Sequence, residues 1–191
     1  MTNQKKSMTS QMKTRIGLLT FALAGGLAFA GLLNTALAAS DESDVRSAVQ
    51  HIFDQLKNGQ YEAVYDSLPS ASRARISRDK LVQGLRRSQS MFQLQRIDIG
   101  AVRVAGNIAV VDTTMYAHVK QPFDADGKLV VQQYLIREDG KWRVATCDTA
   151  TINSFLKNNP TFARKFPIKK TRAFVNQNGN WIEIPLGGRR A

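Results

Sequence analysis

Apolar residues recur at helical spacing at Val45, Ala48, Val49, Ile52, Phe53 and Leu56. This predicts a first helix, N-capped by Asp41 or Ser43 and ending at Gly59. Tyr61, Val64, Tyr65 and Leu68 continue as a short second helix that Pro69 stops, and Ser70-Ala71-Ser72 reads as loop. Ser77 then caps a third helix through about Ser90, with Leu81, Val82 and Leu85 inward and Arg86-Arg87 outward. From Phe92 the period drops to two. Gln93 to Val104 reads as one strand, Ala105-Gly106-Asn107 as a turn, and Ile108 to Lys120 as a second strand. Along that second strand Ala109, Val111, Thr113, Met115, Ala117 and Val119 share the face expected to be core. Ile108, Val110, Asp112, Thr114, Tyr116 and His118 share the other, expected to be solvated or at an interface.

The clearest local signal lies between Leu129 and Cys147, where two runs rich in β-branched and aromatic residues meet at Asp139-Gly140. A two-residue primed turn needs positive φ at both positions, and Asp-Gly supplies it. Closing there pairs Glu138 with Lys141, Arg137 with Trp142, Ile136 with Arg143 and Leu135 with Val144, and puts Leu135, Trp142 and Val144 on one face. Beyond Asp148 the spacing predicts one short helix over Thr151 to Lys157 before Asn159-Pro160. A second hairpin follows from Thr171 to Ile184, turning at Asn178-Gly179. Helices followed by antiparallel strands make an α+β domain, its N-terminal helices packed under a curved sheet of four or more strands.

A leading helix ending in Asn58-Gly59-Gln60-Tyr61, a short second helix, and the run Arg137-Glu138-Asp139-Gly140-Lys141-Trp142-Arg143-Val144 resemble the nuclear-transport-factor-two-like superfamily, which includes ketosteroid isomerases and polyketide cyclases. The resemblance covers roughly Ser43 to Asp148. It implies a cone-like domain with a pocket between sheet and helices, often dimeric through the sheet. It also implies, for exported bacterial members, binding or accessory roles. The helix and hairpin beyond Asp148 lie outside that pattern, so three segments are expected: 1–39, 40–150 and 151–191.

Charge separates the same segments. The formal net charge is +12, yet residues 40–150 carry 15 basic and 14 acidic side chains, while residues 151–191 carry eight basic residues against Glu183 alone. A nucleic-acid-binding domain would carry its basic stripe on the folded body, so a nucleic-acid partner is not expected. Residues 1–39 hold Lys5, Lys6, Lys13 and Arg15 and no acid, then an apolar run from Ile16 to Leu33, then Ala36-Leu37-Ala38. That is the layout of a signal peptide with a small-x-small cleavage site. Left uncleaved, the apolar run would reach ~27 Å as a helix and anchor the protein in the inner membrane. Cys147 is the only cysteine, so no intrachain disulfide forms even in an oxidising compartment.

Candidate chemistry is sparse. On the polar face of the second long strand, Asp112 as base and Tyr116 as oxyanion donor would suit an isomerase, and Tyr116 with His118 could flank a small polar ligand. Against a joint role, Asp112 and Tyr116 are ~13 Å apart along a strand. No stretch matches the isomerase pattern residue by residue. No metal or cofactor is expected, because there are two histidines, one cysteine and no paired-ligand spacing or phosphate loop. The C-terminal segment interleaves aromatics with Arg164, Lys165, Lys169, Lys170 and Arg172 and carries Trp181, a composition suited to gripping an anionic partner.

These readings converge on an exported, non-catalytic binding or scaffolding module of the cell envelope. Its basic aromatic tail would engage an anionic envelope component or protein, and a homodimer would form through the sheet. A small-molecule pocket enzyme of the isomerase or cyclase class is the alternative. Export has a direct test: mass spectrometry of protein recovered from its native host should show an N-terminus at Ala39 or Ser40, whereas an intact N-terminus in the membrane fraction would indicate the anchor.

Overall fold

The computed structural model describes residues 40–121, 124–145 and 148–186. The expected leader and Cys147 lie outside these. The described residues from Glu42 onward form one compact unit. Among the described residues no helix is long and apolar enough to cross a membrane.

Helix α1 runs over 40–57, so both expected caps sit inside its first turn. Its stripe of Val45, Val49, Ile52 and Phe53 is buried, and Gly59 ends it at φ +71°, a conformation that glycine adopts without a Cβ penalty. Helix α2 spans Tyr61–Asp66. The stretch read as loop after Pro69 is instead a single-turn helix, α3, Ser70–Arg73. Its unpaired N-terminal groups find a distant acceptor, since the Glu138 carboxylate takes bonds from the Ser70 amide and hydroxyl, both at 2.9 Å. Sequence spacing alone carries no trace of that long-range cap. Helix α4 spans Arg78–Met91, capped by the Ser77 hydroxyl accepting from the Lys80 amide as expected.

Strands β1 (Phe92–Ala105), β2 (Ile108–Val119), β3 (Ala125–Glu138) and β4 (Lys141–Val144) follow as an antiparallel meander. The β3–β4 register is the one predicted from the turn, Leu135 opposite Val144 and Glu138 opposite Lys141, with positive φ at both Asp139 and Gly140. Helix α5 covers Thr149–Asn158, and the single expected helix is followed by another, α6, Pro160–Lys165. Pro160 starts rather than forbids it, because the first helical position needs no N–H. The second hairpin forms as β5 (Arg172–Gln177) and β6 (Asn180–Ile184).

One six-stranded antiparallel sheet results, in the order β1-β2-β3-β5-β6, with β4 also paired to β3. Strand β3 is long enough to hold both: Leu135 to Glu138 pair with β4, and Gly127 to Val130 pair with β5 on the same edge. Edge strand β1 has register shifts after Leu94 and Ile99. Its carbonyls there are claimed by α1, through Lys57 to Gln95 at 2.7 Å and Arg46 to Ile99 at 3.1 Å. Bulges and cations of this kind keep an edge from pairing with foreign strands.

The sheet is buried on both faces where β2 begins, which departs from the expectation of one core face. Ala109, Val111, Leu135 and Val144 pack with Val45, Val49, Ile52 and Val64 of the helices. On the opposite face Ile108, Val110, Tyr134 and Ala145 pack with Phe155, Leu156 and Phe162 of α5 and α6. Alternation could not reveal this, because Ile108-Ala109-Val110-Val111 is a continuous apolar run, the mark of a strand covered on both sides. Leu135 is fully buried. Replacing it by Ala should destabilise the fold by ~3 to 5 kcal/mol in denaturant titration, because the meander and α1 close around it.

Candidate functional site

A cavity of about 820 Å3 lies between the helices and the sheet. Its walls are apolar: Ile52, Phe53 and Leu56 from α1, Leu85 from α4, Leu94 and Ile97 from β1, Met115 from β2 and Leu129 from β3. The expected parity places Met115 here, on the face that Ala109 and Val111 continue into the core. Ordinary small-molecule sites have such a size and lining.

Polar residues interrupt the walls of the cavity, among them Asn58, Ser88, Gln89, Ser90 and Gln93. Lys57, Arg86 and Lys120 are its charged residues, all cationic and all exposed, so they stand at the rim. Lys57 donates to the Gln95 carbonyl, and Arg86 faces Glu62 at 3.2 Å across an exposed ion pair. Deeper in, Gln133 is buried and donates to the Thr113 hydroxyl at 3.4 Å. Tyr61 is only 4% exposed. Burial raises its hydroxyl pKa and nearby Arg86 partly offsets this, so Tyr61 is a neutral donor at physiological pH. No Asp, Glu or His lines the cavity among the described residues, and residues 1–39, 122–123, 146–147 and 187–191 contain none of these three types.

Asp112, Tyr116 and His118 lie on the opposite face of the sheet. Asp112 is held from three sides: Oδ2 accepts from Arg103 and Lys169, both at 2.9 Å, and Oδ1 accepts from the Gln132 amide at 3.2 Å. The Gln132 carbonyl oxygen in turn accepts from the Lys169 amide at 2.7 Å and the Tyr134 hydroxyl at 3.1 Å. This network fastens the segment between α6 and β5 onto the sheet. Burial alone would raise the Asp112 pKa, but the hydrogen bonds from Arg103, Lys169 and Gln132 outweigh it and lower it to about 2. A carboxylate so engaged is a poor general base. Tyr116 has the Arg96 guanidinium 3.5 Å above its ring and Trp181 edge-on at 6.3 Å. His118 contacts Asp126 and Asp124 at 3.3 and 3.2 Å. The three are therefore spread along one strand, each with its own partners, and do not converge on a shared space.

The six C-terminal candidates divide by environment. Lys169 is bound to Asp112, Arg172 is paired with Glu183 at 2.7 Å, and Trp181 lies beneath the Lys128 ammonium at 4.5 Å. Arg164 and Lys165 occupy the last turn of α6, where cations complement the carbonyl end of a helix, and Lys170 is exposed in the following segment. Sequence reasoning singled out these residues by composition and passed over Tyr61, Lys57, Arg86 and Lys120. Tyr61 was visible as part of a helical stripe, but only the folded chain brings α2, α4 and the end of β2 around one opening.

No family model matches the chain, and no curated protein does. Among solved structures it is similar to one from Campylobacter jejuni described as an NTF2-like transpeptidase. The two are 16% identical, the match covers 52% of this chain and 94% of that one, and the TM-score is 0.37. The activity in that description belongs to that protein. Here the architecture itself is α+β, helices followed by an antiparallel sheet.

The Asp112 network predicts a pH dependence of stability. A carboxyl whose pKa is depressed on folding stabilises the protein above its unfolded pKa, ~3.9, and loses that contribution as pH falls through the folded value. Asp112→Asn should therefore cost ~1 to 2 kcal/mol at neutral pH. In urea titrations the difference from the parent should shrink between about pH 4 and pH 2.

Proposed function

We propose that this protein is a non-catalytic binding module whose cavity between helices and sheet holds a small, largely apolar molecule. The observation that carries this reading is the lining: apolar walls, cations at the rim, and no carboxylate or histidine to move a proton. Isomerases and cyclases of the resembling superfamily need a base within hydrogen-bond reach of the substrate. In this chain the one carboxylate considered for that role, Asp112, is on the far side of the sheet and tied to two cations. Export to the cell envelope remains part of the proposal, motivated by the apolar run and Ala-x-Ala site at the N-terminus. An anionic surface would be met through Arg164, Lys165 and Lys170, which form no ion pair with a carboxylate among the described residues.

A plug in the cavity separates the two function classes. Met115→Trp adds bulk to its wall while leaving the buried layers around Leu135 alone. A neutral solvatochromic dye should bind the parent with a blue shift and one-to-one stoichiometry, and the plugged variant should lose that binding while keeping its melting temperature within a few degrees. Equal dye binding by both would end the cavity reading. Carbon-acid proton exchange in a bound ketone, catalysed by the parent and lost in Met115→Trp, would favour the isomerase instead.

A further inference from the structure

Tyr61 is the most buried titratable side chain on the cavity surface, and its hydroxyl makes no hydrogen bond among the described residues. The hydroxyl is also not among the buried polar atoms sealed from contact, which are Arg103 Nη1, Trp142 Nε1 and Arg143 Nε. It is thus an accessible donor on a residue that lines the cavity. Any molecule that fills this space either offers an acceptor at that point or strands the hydroxyl, which costs on the order of a tenfold loss in affinity or more. Arg86 is near enough to act electrostatically on the same hydroxyl, and the other charged residues of the lining, Lys57 and Lys120, are cations as well. Donor and positive charge together select an acceptor that is negatively charged.

We infer that Tyr61 and Arg86 form a head-group site and that the ligand is an amphiphile with an anionic head, a carboxylate or phosphate ester, and an apolar body laid against Ile52, Leu85, Ile97 and Met115. This rests on the cavity reading above and names the ligand class for that site. Glu62 regulates it in a simple way. Its carboxylate already holds Arg86 at 3.2 Å, so a ligand head must compete with Glu62 for the guanidinium.

The test uses two probes with one tail, dodecanoate and dodecanol, titrated by calorimetry into the full chain and its variants. In the parent, dodecanoate should bind at least tenfold more tightly than dodecanol, and the preference should fall as salt rises, because part of it is Coulombic. Tyr61→Phe and Arg86→Gln should each cut the preference for dodecanoate over dodecanol severalfold. Glu62→Gln should strengthen dodecanoate severalfold by releasing Arg86, a gain that a damaged fold would not produce. If both probes bind the parent equally, or if the three variants leave the ratio of the two affinities where it was, the head-group site is wrong although the cavity reading stands. If Met115→Trp binds dodecanoate as the parent does, the ligand lies elsewhere and both readings fall. If neither probe binds the parent while the neutral dye does, the head-group inference is overturned alone.

Discussion

Strand β3 is the member on which the rest of this structure depends. Its backbone pairs along one edge with β2 and along the other with β5 from Gly127 to Val130 and with β4 from Leu135 to Glu138. Every strand except β1 and β6 touches it directly, and both hydrophobic cores draw on its side chains, Leu135 toward the helices and Tyr134 toward α5 and α6. A buried strand must pair its N–H and C=O groups completely or lose the value of each bond several times over. Neither the short β4 nor the short β5 alone could complete the second edge of a strand that runs from Ala125 to Glu138. The terminal hairpin is therefore an integral part of the sheet.

Burial on both faces also divides the chemistry. The helix face keeps an apolar hollow with cations at its mouth, because α1 and α4 meet the sheet closely at Val49 and Val111 but stand off from it near Met115 and Leu129. The opposite face carries the carboxylates and most of the rings, yet they are matched internally: Asp112 with Arg103 and Lys169, Glu183 with Arg172, and the Tyr116, Trp181 and Phe174 rings with Arg96 and Lys128. Pairs as exposed as Arg172 with Glu183 contribute little individually. Asp112 is the exception, since three donors converge on a partly sheltered carboxylate.

Much of the fold was legible in the chain, and the reasons are local. Gly59, Pro69 and Ser77 punctuate helices whose apolar stripes are continuous, and Asp139-Gly140 and Asn178-Gly179 dictate two hairpins together with their registers. The misses share a cause at longer range. Helix α3 has its first amide bonded by Glu138 from a distant strand, and the second core exists because α5 and α6 fold over Ile108 and Val110. The candidate site was the least legible part. Its residues were unremarkable singly, whereas Asp112 and the C-terminal cations stood out by type, and of these Lys169 is engaged by Asp112 and Arg172 by Glu183. Composition reports which charges a segment holds and cannot report which of them are already answered.

The end-to-end arrangement of β4 and β5 has a consequence for the order of assembly. Strands β1 to β4 are joined by tight turns or short loops, so each can zip onto its predecessor with little loss of chain freedom. Strand β5 must wait for β3 and then close the whole excursion through α5 and α6 before its first bond to Gly127 or Val130 can form. Where the chain is delivered N-terminal part first, the meander has all its residues available while the part of the β3 edge from Gly127 to Val130 still lacks its partner. During that interval the chain displays an unpaired stretch from Gly127 to Val130, and its own last hairpin is the piece that retires the hazard.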